Sequence, residues 1–152
     1  YANLQLFGSE AFNEAYEICM KRDYGLSKTA LDIAVVGKLG KERIREAAQR
    51  VTKNLRYSDV ENFLGVLKRY GIEEKDVRKE ALMVSKSMLR DRRYLAALML
   101  LENFDRKALP KTAKRAYKDA IRRGHDHSDP IRRGHEYSAR EIKNLYLTPP
   151  DR

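Results

Sequence analysis

The sequence predicts an all-α protein: stacked antiparallel helical hairpins, as an α-solenoid-like array or an irregular helical bundle, closed by a basic C-terminal helix and tail. Three observations predict it. Apolar residues recur at i, i+3, i+4, i+7 through most of the 152 residues, and no segment alternates as a half-buried strand does. The stretch from Tyr94 to Leu101, YLAALMLL, has no charge on any face, so a helix built from it should be covered all round. It is far too short to span a bilayer, which makes it the expected central buried helix. The third observation is that helix–turn–helix units recur at a nearly constant spacing.

The elements follow in order. Residues 1–8 read as an irregular lead-in. Ser9 reads as an N-cap, and Phe12, Ala15, Tyr16 and Cys19 then trace an amphipathic helix to about Arg22. Ser27 is expected to cap a second helix with Leu31, Ala34 and Val35 inward, ended by Gly37 and Gly40. Ile44, Ala47, Ala48, Val51 and Leu55 line a third. Ser58-Asp59-Val60-Glu61 has the spacing of a capping box. Val60, Phe63, Leu64 and Leu67 form the stripe of the fourth helix, with Gly71 at its C′ position. A fifth, about 73–90, faces inward through Val77, Ala81, Val84 and Met88, and the buried sixth follows. Pro110 suits the first turn of a seventh, where its missing amide donor costs nothing. Ala113, Ala116, Tyr117, Ala120 and Ile121 are its inner stripe and Gly124 stops it. Ser138-Ala139-Arg140-Glu141 reads as a second capping box, opening a short helix over 138–146. The expected organisation is one helical domain over 1–123 and a basic extension over 124–152.

The composition sets limits on partners and compartment. The chain is long enough to hold a core without disulfides or metals. Its one cysteine, Cys19, lies in a helical stripe and reads as a reduced core thiol, which fits a cytoplasmic protein. No signal peptide, transit peptide or membrane span is visible, and no membrane partner is expected. The chain opens on Tyr1 and not on Met, so the sequence leaves room for upstream residues. The net charge is +10, which favours polyanionic partners. It is uneven: residues 106–152 carry thirteen basic and six acidic side chains, whereas 72–105 carry seven of each.

Self-similarity shows at two marks. Glu14-Ala15, Glu46-Ala47 and Glu80-Ala81 open comparable helices, and Tyr24, Tyr57 and Tyr94 precede their partner helices. A period near 34 residues is that of helical-hairpin repeats, which bury their apolar faces by stacking. The run Asp91-Arg92-Arg93-Tyr94-Leu95-Ala96-Ala97-Leu98-Met99-Leu100-Leu101-Glu102, with Leu109-Pro110 downstream, resembles the second helix of a tetratricopeptide repeat. The resemblance covers residues 9–110 as three degenerate units. None has the family's tryptophan, and two lack the closing proline. It implies a stacked-hairpin fold and a binding surface, without naming a ligand.

The functional candidates lie in the C-terminal third. Lys111, Lys114, Arg115, Lys118 and Arg122 fall on one side of the seventh helix, opposite the alanine–tyrosine stripe, and span about 16 Å. Such a row can meet two or three phosphates. Asp119 is the one acid between Lys111 and Arg123, so the usual mixed-sign surface is absent. Next comes a tandem motif: Ile121-Arg122-Arg123-Gly124-His125, then Ile131-Arg132-Arg133-Gly134-His135, ten residues on. Paired arginines fork onto phosphates, and His135 or Tyr137 can stack on a base. The first copy is expected to end a helix and the second to lie in a loop. A duplicated solvated tail is the bland alternative. Arg43, Arg50 and Lys53, with Arg45 and Arg56 nearby, make a weaker basic face that Glu42 and Glu46 interrupt; it reads as ordinary surface.

His125, His127 and His135 with Asp126, Asp129 and Glu136 have no fixed metal spacing, and the neighbouring arginines repel cations, so no metal or cofactor is expected. Nothing in the spacing specifies an acid–base pair. The expectation is a non-catalytic protein that docks RNA or a ribonucleoprotein through Lys111, Lys114, Arg115, Lys118, Arg122, Arg123, Arg132, Arg133, His135 and Tyr137. The rival is a protein–protein adaptor that grips a peptide or helix with its hairpins and has no nucleic-acid role.

Overall fold

The computed structural model of the protein describes residues 8–22 and 26–148. Tyr24 and the terminal pair Pro149-Pro150 lie outside the described residues, as does the expected lead-in apart from Gly8. Among the described residues eight α-helices follow one another: α1 Gly8–Lys21, α2 Ser27–Val36, α3 Lys41–Lys53, α4 Val60–Tyr70, α5 Glu74–Arg90, α6 Tyr94–Phe104, α7 Leu109–Gly124 and α8 Arg132–Ile142. A 3-10 turn, Tyr57–Asp59, leads into α4, and a π turn, Lys143–Leu147, continues α8. No strand occurs among the described residues. The chain divides into two compact units between Ala81 and Leu82, within α5.

In the first unit α2 packs on both α1 and α3. Phe12 and Tyr16 of α1, Ala30, Leu31 and Ala34 of α2, and Ala47 and Ala48 of α3 are buried. The helical spacing puts them there, and small residues on α2 and α3 let the backbones approach. Tyr16 ties α1 to α3: its hydroxyl donates to the Arg43 carbonyl at 3.1 Å and to Glu46 Oε2 at 3.2 Å. The Arg43 guanidinium lies 5.5 Å over the same ring and bonds Asn13. In α4 the buried row is Val60, Phe63, Val66 and Leu67, with Leu64 only half-buried.

Gly37 ends α2 for a reason different from the expected one. Its φ is −77°, open to any residue, and the left-handed residue is Lys38 at φ 51°. What requires glycine at 37 is space: a Cβ there would come within 2.6 Å of the buried Phe12 ring.

In the second unit α6 packs on α7 and α8, and α7 packs on α8. Tyr94, Leu98 and Leu101 of α6, Ala113, Ala116 and Ala120 of α7, and Ala139 and Ile142 of α8 form one core, flanked by Leu82 and Leu89 of α5. The uncharged stretch of α6, Tyr94 to Leu101, is not covered all round, because Leu95, Ala96 and Met99 keep partial exposure.

The segment after residue 123 is therefore not an extension of a finished domain. It supplies α8, and Ile142 has no exposed surface. The second Arg-Arg-Gly-His copy is also not a loop; it is the first turn of α8. Gly134 disfavours a helix there, yet one glycine costs only about 1 kcal/mol relative to alanine. Burial of His135, Ala139 and Ile142 along one face offsets it.

The three serine caps expected at the starts of α2, α4 and α8 are not formed. Ser27 is the first residue of α2 and is buried, with no hydrogen-bond partner for its hydroxyl among the described residues. At α4 the 3-10 turn winds the chain in early, with Asp59 N–H donating to the Arg56 carbonyl at 3.0 Å, and no side chain caps the helix. Ser138 lies in the middle of α8. That helix is led in by Asp129, whose Oδ1 accepts from the Ile131 amide at 2.9 Å. At the first helix the start falls at Gly8, one residue before Ser9.

Candidate nucleic-acid interface

The construction of α7 explains its surface. Proline in the first turn starts the helix, and Ala113, Ala116, Ala120 and Gly124 bury one face. Tyr117 and Ile121 flank that face and pack against the core, and the long basic side chains stand outward. Lys111, Lys114, Arg115, Lys118 and Arg122 are exposed. At about 100° per residue they fan across some 100° of the helix circumference, with Lys114 at one margin and Arg115 at the other. Among the described residues, Lys111, Lys114, Arg115 and Lys118 make no ion pair; the fifth, Arg122, bonds Asp119 Oδ1 at 2.7 Å.

Asp119, the one acid of the helix, sits at the edge of this row, bonded to its last member and to the neighbouring helix. It accepts from the Tyr94 hydroxyl of α6, and its Oδ2 also accepts from Arg123 Nε at 3.1 Å. Burial pushes the Asp119 carboxyl up, but hydrogen bonds from Tyr94, Arg123 and Arg122 outweigh it and hold it below the usual range. Tyr94 shifts the other way: burial, then the hydrogen bond to Asp119 and its negative charge, push the phenol up to about 12. The one acid of the helix is thus shared between Tyr94, Arg123 and Arg122, and Lys111, Lys114, Arg115 and Lys118 keep no acid partner among the described residues.

The tandem motif does not act as a pair. In the first copy, Arg123 is largely covered and committed to Asp119, while His125 is exposed at the helix end. Gly124 admits α8: a Cβ there would stand 2.8 Å from Glu136 Cγ. In the second copy His135 is buried, with 3% of its surface exposed. Its ring meets Tyr94 edge to face at 6.2 Å, and its Nε2 lies 3.3 Å from Asp129 Oδ2 without hydrogen-bond alignment. His135 therefore has no face to offer a base, a correction to its expected place in a surface site. Arg132 is half-buried and contacts His127 Nδ1. Arg133 and Tyr137 are exposed on the outward face of α8, one turn apart.

The other basic face divides differently. Arg43 is engaged by Tyr16 and Asn13, and Arg50 bonds the Met20 carbonyl, so both are α1–α3 ties. Lys86 of α5 went unnoticed in the sequence. It lines a groove of about 480 Å³ together with Arg115, Tyr94 and Asp119. No sequence spacing connects it to α7; the fold does.

No group of three or more histidine, cysteine or carboxylate side chains is placed to hold a metal among the described residues. No described helix is long and apolar enough to cross a membrane. No family model, curated protein or solved structure matches the chain.

Proposed function

We propose that this is a non-catalytic binding protein that docks RNA or a ribonucleoprotein through the outward face of α7, in a reducing, cytoplasmic setting. One observation carries the reading: four exposed cations with no ion pair among the described residues, on a helix whose one acid is taken up by Tyr94, Arg122 and Arg123. Phosphates would supply most of the affinity, so binding would be weakly sequence-specific and strongly salt-dependent. Arg133 and Tyr137 would add a second, smaller contact from α8. The tetratricopeptide-like hairpins upstream would serve as scaffold.

The test is a fourfold variant, Lys111→Gln, Lys114→Gln, Arg115→Gln and Lys118→Gln, assayed against labelled structured RNA at low salt. The reading expects binding to fall at least a hundredfold with helicity and melting unchanged. Retained binding would refute it.

A second reading, docking of a protein partner, is favoured by Ile131, Tyr137 and Leu145, each more than half exposed in or beside α8. It expects the fourfold variant to keep its partner.

A further inference from the structure

This inference rests on the nucleic-acid reading above and concerns which form of nucleic acid the site takes. We propose that the α7 face binds a double-stranded helix, holding the phosphates of both strands and reading no bases.

The first argument is what the face lacks. Binding of single strands without sequence preference combines a basic groove with aromatic platforms on which successive bases stack. The exposed row on α7 is lysine and arginine alone. The aromatic side chains nearest it face inward: Tyr94 and His135 are buried, and Tyr117 packs against the core. Tyr137 is exposed, but it stands on α8, two residues beyond the buried His135.

The second argument is the spread of the cations. Lys114 and Arg115 diverge by about 100° around the helix, with Lys111, Lys118 and Arg122 between them. Side chains fanned over that width of one face suit two rows of phosphates bordering a groove. A single strand offers one row.

The third is rigidity and charge density. The row is fixed on a helix tied by Asp119 to Tyr94 of α6, and packed by its alanines on α6 and α8. A fixed cation array gains most from a regular anion lattice. A duplex carries about one charge per 1.7 Å of axis, roughly twice that of one strand.

The experiment compares a short mixed-sequence RNA duplex with each of its separated strands, made unable to self-pair, using the full chain and the fourfold glutamine variant at low salt. The expected result is roughly tenfold tighter binding to the duplex, with a log–log salt slope near −3.6 for about four phosphates neutralised. The preference should vanish in the fourfold variant and survive Tyr137→Ala. Single strands bound as tightly as the duplex, or a large loss on Tyr137→Ala, would overturn the duplex proposal and leave the docking reading standing. Failure to bind either form would overturn both.

Discussion

Tyr94 of α6 donates its hydroxyl to Asp119 of α7, and that bond ties the one acid of the basic helix to its neighbour. The acid is shared with Arg123 and Arg122, which leaves Lys111, Lys114, Arg115 and Lys118 without an acid partner among the described residues.

Tyr94→Phe keeps the ring beside His135 and removes the hydroxyl. Hydrogen bonds to a charged group are worth more than neutral ones, so the variant should lose about 1–2 kcal/mol in urea unfolding. The loss should shrink in acid. Asp119 has a depressed folded pKa, so its contribution is complete above the ordinary carboxylate value near 4 and fades as pH falls through the lower folded one. An equal loss at neutral pH and in strong acid would contradict the pairing.

Two tyrosines should resist alkali. Burial, then the charge and hydrogen bond of Glu46, push the Tyr16 phenol up to about 12, matching Tyr94. A raised folded pKa means the contribution to stability is complete below the ordinary value near 10 and is lost as pH rises through about 12. Ultraviolet titration of phenolate should show Tyr16 and Tyr94 among the last protons to leave, with Tyr146 also raised by burial. Tyr94→Phe should remove one of them.

The two histidines at matching positions of the tandem motif should differ in effect. His135→Ala empties a buried site against Tyr94 and should cost about 1–3 kcal/mol, whereas His125→Ala, at the surface, should stay within about 0.5. Equal effects would mean that the second copy does not open α8 as described.

Adjacent residues after α2 should respond in opposite senses. Gly37→Ala drives a methyl into the buried Phe12 ring and should destabilise by about 1–3 kcal/mol. Lys38→Gly relieves a left-handed backbone and should stabilise by up to about 1 kcal/mol. Denaturant midpoints with unchanged slopes would read both.

The sequence disclosed what depends on periodicity and hid what depends on partners. The eight helices of the described residues rest on 3.6-residue spacing and were legible for that reason, the last of them only from Ser138 onward. The beginning of α8 was not, because Arg132, Arg133 and Gly134 look like a loop until α6 and α7 bury His135 behind them. Serine caps at 27, 58 and 138 had the right local spelling. A cap is worth about 1 kcal/mol, and burial at Ser27 or an early 3-10 turn at Asp59 outweighs it. The lysines and arginines of α7 were legible because exposure is their default. The tie of Asp119 to Tyr94 was not, since Tyr94 lies on another helix.

The most direct test of the central claim is the salt dependence of structured-RNA affinity, measured at about 50 and 200 mM. Neutralising about four phosphates predicts a fall of roughly two orders of magnitude across that range. Affinity that is flat in salt, or absent at the lower concentration, would contradict docking by the α7 cations.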